Sequence, residues 1–244
     1  MSQRQRVLLE PAWLLHHRPW SDSSRILDLL TRDHGRVTLF ARGVRRGKPA
    51  LRAVLQPFVP LAVSWTGRAD GGTLTGAELA GECRPLPPAR LMSGFYLNEL
   101  MLRLLPREEA QPEIFGAYTA TLEALAGPGA EQPSLRLFEK LLLEQLGYGL
   151  DLAHEAGAGE PLSPDRYYHY RPGHGIFPAV SEGAAGTAYR GDDLLALAAG
   201  TLESPQALRS ARQLLREALA HCLEGRGLHS RDVMLALRRL EGEA

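Results

Sequence analysis

Between Arg36 and Arg52 the chain carries Arg36, Arg42, Arg45, Arg46, Lys48 and Arg52, and no acidic residue. Six cations in seventeen residues form a dense site for phosphates, whose affinity falls steeply with salt as counterions are released. Arg68 adds a further cation just beyond. Two aromatic residues lie among these charges. Phe40 shares the Arg36 and Arg42 face of one candidate strand, and Trp65 ends another. Cations that track a backbone and rings that stack bases are what single-stranded nucleic acid requires. The same two rings can instead fill a barrel core, the reading that each favours when taken alone. A second basic row, Arg209, Arg212 and Arg216, recurs at helical spacing near the C-terminus. It is a solvated helix face, an extension of a DNA path, or a receiver for an acidic peptide.

Catalytic constellations are missing from the sequence. Gly43-Val-Arg-Arg-Gly-Lys48 has three residues between its glycines, and Pro49 follows the lysine. A phosphate-binding P-loop needs four residues there and a Ser or Thr after the lysine to hold magnesium. No glycine fingerprint opens a helix after a strand, as dinucleotide binding requires. His154-Glu155 lacks the second histidine of a zinc protease, no nucleophile elbow occurs, and no Cys-x-x-Cys pair offers structural zinc. The expectation is a protein that is not an enzyme and needs no cofactor or metal.

The charge is balanced overall but divided along the chain. Residues 1–90 hold 14 basic against 7 acidic side chains, and residues 91–244 hold 14 against 21. The first part therefore favours a polyanionic partner and the second a different one. Cys83 and Cys222, the two cysteines, stand far apart, which fits a reducing compartment. No apolar run approaches the ~20 residues of a membrane span, and no secretory signal pattern opens the chain. A cytoplasmic protein is expected, with no membrane partner.

The elements that must position these residues change character near residue 83. Arg36 to Arg42 alternates, with Val37, Leu39 and Ala41 on one face. Leu61 to Trp65 alternates too; Arg25 to Thr31 is a third candidate strand, and Val7 to His16 a fourth, with Pro11 at an edge or bulge. Short, closely spaced strands predict a small antiparallel barrel over 1–82. After Pro85-Leu-Pro-Pro88 the apolar period becomes helical. Helices are predicted from Leu91 to Pro106, from Ile114 to Leu125, from an N-cap at Ser134 to Gly147, and at about 205–224 and 229–240. The stretch 151–190, rich in Gly, Pro and Tyr, is expected to be an irregular insertion. The fold class expected is α+β multidomain: a barrel over 1–82, then a helical domain over 83–244.

Several segments, taken in order, resemble the bacterial RecO family. They are His17-Arg-Pro-Trp-Ser-Asp-Ser-Ser24, Leu30-Thr-Arg-Asp-His-Gly-Arg-Val37, Ala41-Arg-Gly43 and Leu55-Gln-Pro-Phe58. Gly94-Phe-Tyr-Leu-Asn-Glu-Leu100, Leu135-Arg-Leu-Phe-Glu139, Leu146-Gly-Tyr-Gly149 and Leu228-His-Ser-Arg231 continue the series almost to the end. The resemblance implies an N-terminal OB-fold and a C-terminal helical domain. It implies binding of single- and double-stranded DNA and annealing of complementary strands without ATP. It also implies partnership with RecR and with the acidic C-terminal tail of single-strand binding protein (SSB), so that RecA is loaded onto coated strands. For that tail, Arg136 with Phe138, Leu142 and Tyr148 is the candidate pocket, although Phe138 and Leu142 can equally be helical core. Many relatives carry a four-cysteine zinc module after the Gly-Tyr-Gly segment. This chain has no cysteine there, which implies a zinc-free member.

Overall fold

The computed structural model describes residues 5–44, 47, 49–67, 71–179 and 187–242. Five strands come first: β1 (Gln5–Pro19), β2 (Arg25–Thr31), β3 (Gly35–Ala41), β4 (Pro60–Gly67) and β5 (Gly72–Leu79), with a short helix α1 (Pro49–Val54) between β3 and β4. They close into a barrel of order β1-β2-β3-β5-β4, with β4 returning to β1 and β3 meeting β5 in parallel. That order and its single parallel contact are those of an OB-fold, as expected. Leu14, Leu27, Leu29, Val37, Leu39, Val63 and Leu74 fill the interior.

The chain continues through α2 (Leu91–Leu104), α3 (Pro112–Ala126) and α4 (Glu131–Gln145). Three short strands follow, β6 (Tyr167–Arg171), β7 (Gly175–Pro178) and β8 (Ala188–Arg190), then α5 (Gly191–Ala199), α6 (Pro205–Cys222) and α7 (His229–Gly242). The expected irregular insertion therefore contains an antiparallel sheet of order β7-β6-β8. Ser134 is not an N-cap: α4 starts at Glu131, and the Ser134 hydroxyl donates to the Ala130 carbonyl from inside the first turn. Contacts divide the chain into two compact units, Met1–Pro128 with Leu228–Ala244, and Gly129–Gly227.

In the first unit, one side of the barrel is covered by α2 and α3. Paired residues on neighbouring strands point to the same side of a sheet. Trp13, Leu30 and Arg36 thus form one outward row across β1, β2 and β3; His16, Asp28 and Thr38 form the next; Arg18, Ile26 and Phe40 form the third. Under the helices, Trp13 donates from Nε1 to the Thr119 hydroxyl at 3.0 Å and sets its ring edgewise to Tyr118. Asn98 donates to the Leu15 carbonyl and accepts from the Tyr118 hydroxyl, at 2.9 and 2.6 Å. Burial pushes the Tyr118 phenol well above its ordinary range. Gly35, at φ 66°, opens β3 where the Glu109 backbone passes; a Cβ there would collide with the Glu109 carbonyl.

In the second unit a polar network ties α6 to β8 and α5. The Tyr189 hydroxyl donates to Glu217 at 2.9 Å, Gln213 donates to the Thr187 hydroxyl at 2.6 Å, and the Ser210 hydroxyl donates to Asp193 at 2.6 Å. The desolvated Cys222 thiol nearby is pushed up to about 11. Both cysteines are free thiols.

Candidate nucleic-acid interface

OB barrels receive oligonucleotides on the β2–β3 face, between the loop joining β1 to β2 and the loop joining β4 to β5. Here those two loops flank one residue. From the β1–β2 loop, Trp20 lays its ring edgewise on Phe40, centroids 5.7 Å apart and planes at 68°. From the β4–β5 side, a Cβ placed on Gly71 would touch the Phe40 ring. The β1–β2 loop is closed by a hydrogen bond from the Trp20 N–H to the Ser24 carbonyl at 3.1 Å. Trp20 remains 63% exposed. Sequence periodicity gave no sign of it, because a loop residue belongs to no strand or helix pattern.

Exposed cations lie on the same strands and in the segment that follows β3. Arg42 directly follows β3 and is exposed, and the exposed Arg18 lies in the Phe40 row two strands away. Val44, buried in the barrel core, anchors the turn that Arg42 enters, and the Gly47 N–H closes that turn onto the Gly43 carbonyl at 2.8 Å. Arg52 is exposed in the last turn of α1. Among the described residues neither Arg42 nor Arg52 enters an ion pair. Arg25, opposite Ala41, keeps one buried guanidinium nitrogen without a hydrogen-bond partner. Burial, then the Arg25 charge, then His16 hold His17 below the ordinary imidazole value. Arg45, Arg46, Lys48 and Arg68 lie outside the described residues.

Two of the candidate residues, Trp65 and Arg36, lie away from this face. Trp65 is 1% exposed and packs in the barrel core, edgewise to His34 at 5.1 Å, so it presents no ring for stacking. Arg36 is half-buried and donates to the Leu102 carbonyl at 2.6 Å, in the last turn of α2, where a cation meets the negative helix end. Desolvation, with Arg107 close by, lowers its pKa. Its role is to hold α2 on the barrel.

The candidate tail pocket changes as well. Arg136, 7% exposed, pairs with the fully buried Glu139 at 2.7 Å, and Phe138 and Leu142 are core. Arg136 is therefore not a rim cation. Tyr148, half exposed, is the one member of that group at the surface. On α6, Arg209, Arg212 and Arg216 are exposed opposite the buried Ala207, Ala211, Leu214 and Ala218, and Arg209 donates to Gln206 at 2.6 Å.

The fold and this face define a class: proteins that pair an N-terminal OB barrel with a helical C-terminal part. Comparison with known proteins narrows it. The family model described as "Recombination protein O N terminal" matches residues 6–82, and "Recombination protein O C terminal" matches residues 87–232. DNA repair protein RecO of Methylococcus capsulatus is 46% identical over 228 residues, 93% of each chain. Its counterpart in Nitrosococcus oceani is 45% identical over 96% of each chain, and that of Photobacterium profundum 39% over 96% of this chain and 99% of its own. The chain belongs to the RecO family of DNA repair and recombination proteins. Among the described residues no helix is long and apolar enough to cross a membrane, and no group of three or more His, Cys, Asp or Glu side chains is placed to hold a metal ion.

Proposed function

We propose that this protein is a non-enzymatic mediator of recombinational repair that binds single- and double-stranded DNA on its barrel and anneals complementary strands without ATP. One observation carries this reading. Trp20, Phe40 and Arg42 stand together where OB barrels take oligonucleotides, and the sequence from Arg42 to Arg52 adds cations and no acid. Two DNA strands repel each other. A cationic surface lowers that repulsion while the bases stay available for pairing. RecR, the acidic SSB tail and, indirectly, RecA are the proposed protein partners, so that RecA is loaded onto SSB-coated strands. Tyr148 is the surface residue from which to search for the tail's seat. The proposed site of action is the nucleoid.

A second reading, an adaptor whose barrel binds protein instead of DNA, draws on Leu8 and Leu9. They stand 60% and 59% exposed on a β1 bulge, with Leu9 held at φ 51°. Annealing of bare complementary oligonucleotides separates the two. Acceleration without ATP supports the mediator, and an unchanged spontaneous rate supports the adaptor.

A further inference from the structure

Charge alone binds single strands and duplexes alike, since both present phosphates. The Trp20 and Phe40 rings add something that charge does not. Trp20 sits on a short, closed loop, its backbone tied to Ser24 and its ring set against Phe40. Its ring, 63% exposed, stays open to a ligand while its edge contact with Phe40 fixes where it stands. Phe40 in turn is fixed in a strand, in register with Ile26 and then Arg18. One face of the sheet thus carries a strand-borne ring with a loop-borne ring against it, and a cation in the same row two strands away.

We infer that Trp20 and Phe40 form a stacking platform for unpaired bases, which makes this interface discriminate single strands from duplex. The inference rests on the DNA-binding reading above and goes beyond it. An unpaired base offers its π-face to an aromatic ring, whereas within a duplex both faces of each base are already covered by its neighbours. Stacking therefore adds affinity for single strands and is lost when bases pair. Annealing on this surface removes the stacking contribution from its own product, and the paired strands remain held by charge alone. The platform thereby favours release of the duplex and capture of the next single strand.

The protein's own fluorescence tests this. Of its three tryptophans, Trp13 and Trp65 are 7% and 1% exposed, so a ligand-dependent change in emission reports on Trp20. Full-length protein is titrated with an oligothymidylate and with a duplex of equal length at one salt concentration. The single strand is expected to quench the emission and the duplex to bind with little quenching. Trp20→Ala should weaken single-strand binding about five-fold or more while changing duplex binding less than about two-fold; Trp20→Phe should restore most of the loss. If Trp20→Ala fails to fold, the wild-type quenching and the Trp20→Phe affinities still decide. Equal quenching by both DNAs, or equal loss of both affinities in Trp20→Ala, overturns the platform while leaving DNA binding intact. Failure of wild-type protein to bind either DNA overturns both.

Discussion

The carboxylate of Glu99, in α2, caps the N-terminus of α7 by accepting from the Ser230 N–H at 2.8 Å and the Ser230 hydroxyl at 2.7 Å. The His229 N–H adds a third bond at 2.9 Å, and Arg103 pairs with the same group at 2.9 Å. A helix start leaves N–H groups without intrahelical partners, and an anion there also meets the positive end of the helix dipole. A residue some 130 positions away in sequence thus does the work of a local cap.

Desolvation raises the Glu99 pKa, but the Ser230, His229 and Arg103 hydrogen bonds outweigh it, and the net shift is downward from 4.5. A carboxylate with a lowered folded-state pKa stabilises the fold above its ordinary value. That contribution fades as pH falls from about 4.5 through the lower folded-state value. Glu99→Ala should cost about 1–3 kcal/mol at neutral pH, read by thermal or urea unfolding. Its stability should also fall less than that of wild type on acidification. Equal acid sensitivity would mean the cap is unimportant.

Asn98 bridges barrel and helices, holding the Leu15 carbonyl and the Tyr118 hydroxyl together. Asn98→Ala removes both buried hydrogen bonds at once, and a loss of about 2–4 kcal/mol in urea unfolding is expected. Tyr118→Phe, which removes only the hydroxyl, should cost less, about 1 kcal/mol.

Replacing Arg136 by alanine should destabilise the protein by about 3–5 kcal/mol, because the buried Glu139 loses its cation. Arg136→Met with Glu139→Leu removes both charges at similar volume and should restore most of that loss. A tail-peptide titration should therefore use the double variant. Retained peptide affinity there would show that Arg136 takes no direct part in binding.

Changing Arg45 and Arg46 together to alanine should weaken single-strand binding and reduce the log–log salt slope by about 1.4, the share of two phosphate contacts. Melting temperature should stay unchanged. An unaltered slope in a folded double variant would remove Arg45 and Arg46 from the interface.

The barrel was legible where one face of a strand is buried and the other is not. Val37, Leu39 and Ala41 alternate visibly for that reason. The β2 strand shows less alternation, because Ile26 and Leu30 on its outer face are buried as well as Leu27 and Leu29 in the core, leaving apolar residues on both faces. The burial of Trp65 follows from its alternation with Leu61 and Val63, all three facing the barrel core. A lone arginine signals surface, but Glu139 three residues on provides the partner that permits Arg136 to be buried. Trp20 and the Glu99 cap left no local pattern. Both depend on contacts between segments that only the fold brings together.

The most direct test of the account is binding of a single-stranded oligonucleotide across a salt series, with magnesium and ATP absent. Tight binding at low salt that weakens steeply and linearly on a log–log scale is the predicted result. Weak binding that salt does not change would contradict it, and the positive half of the chain would then serve a protein partner.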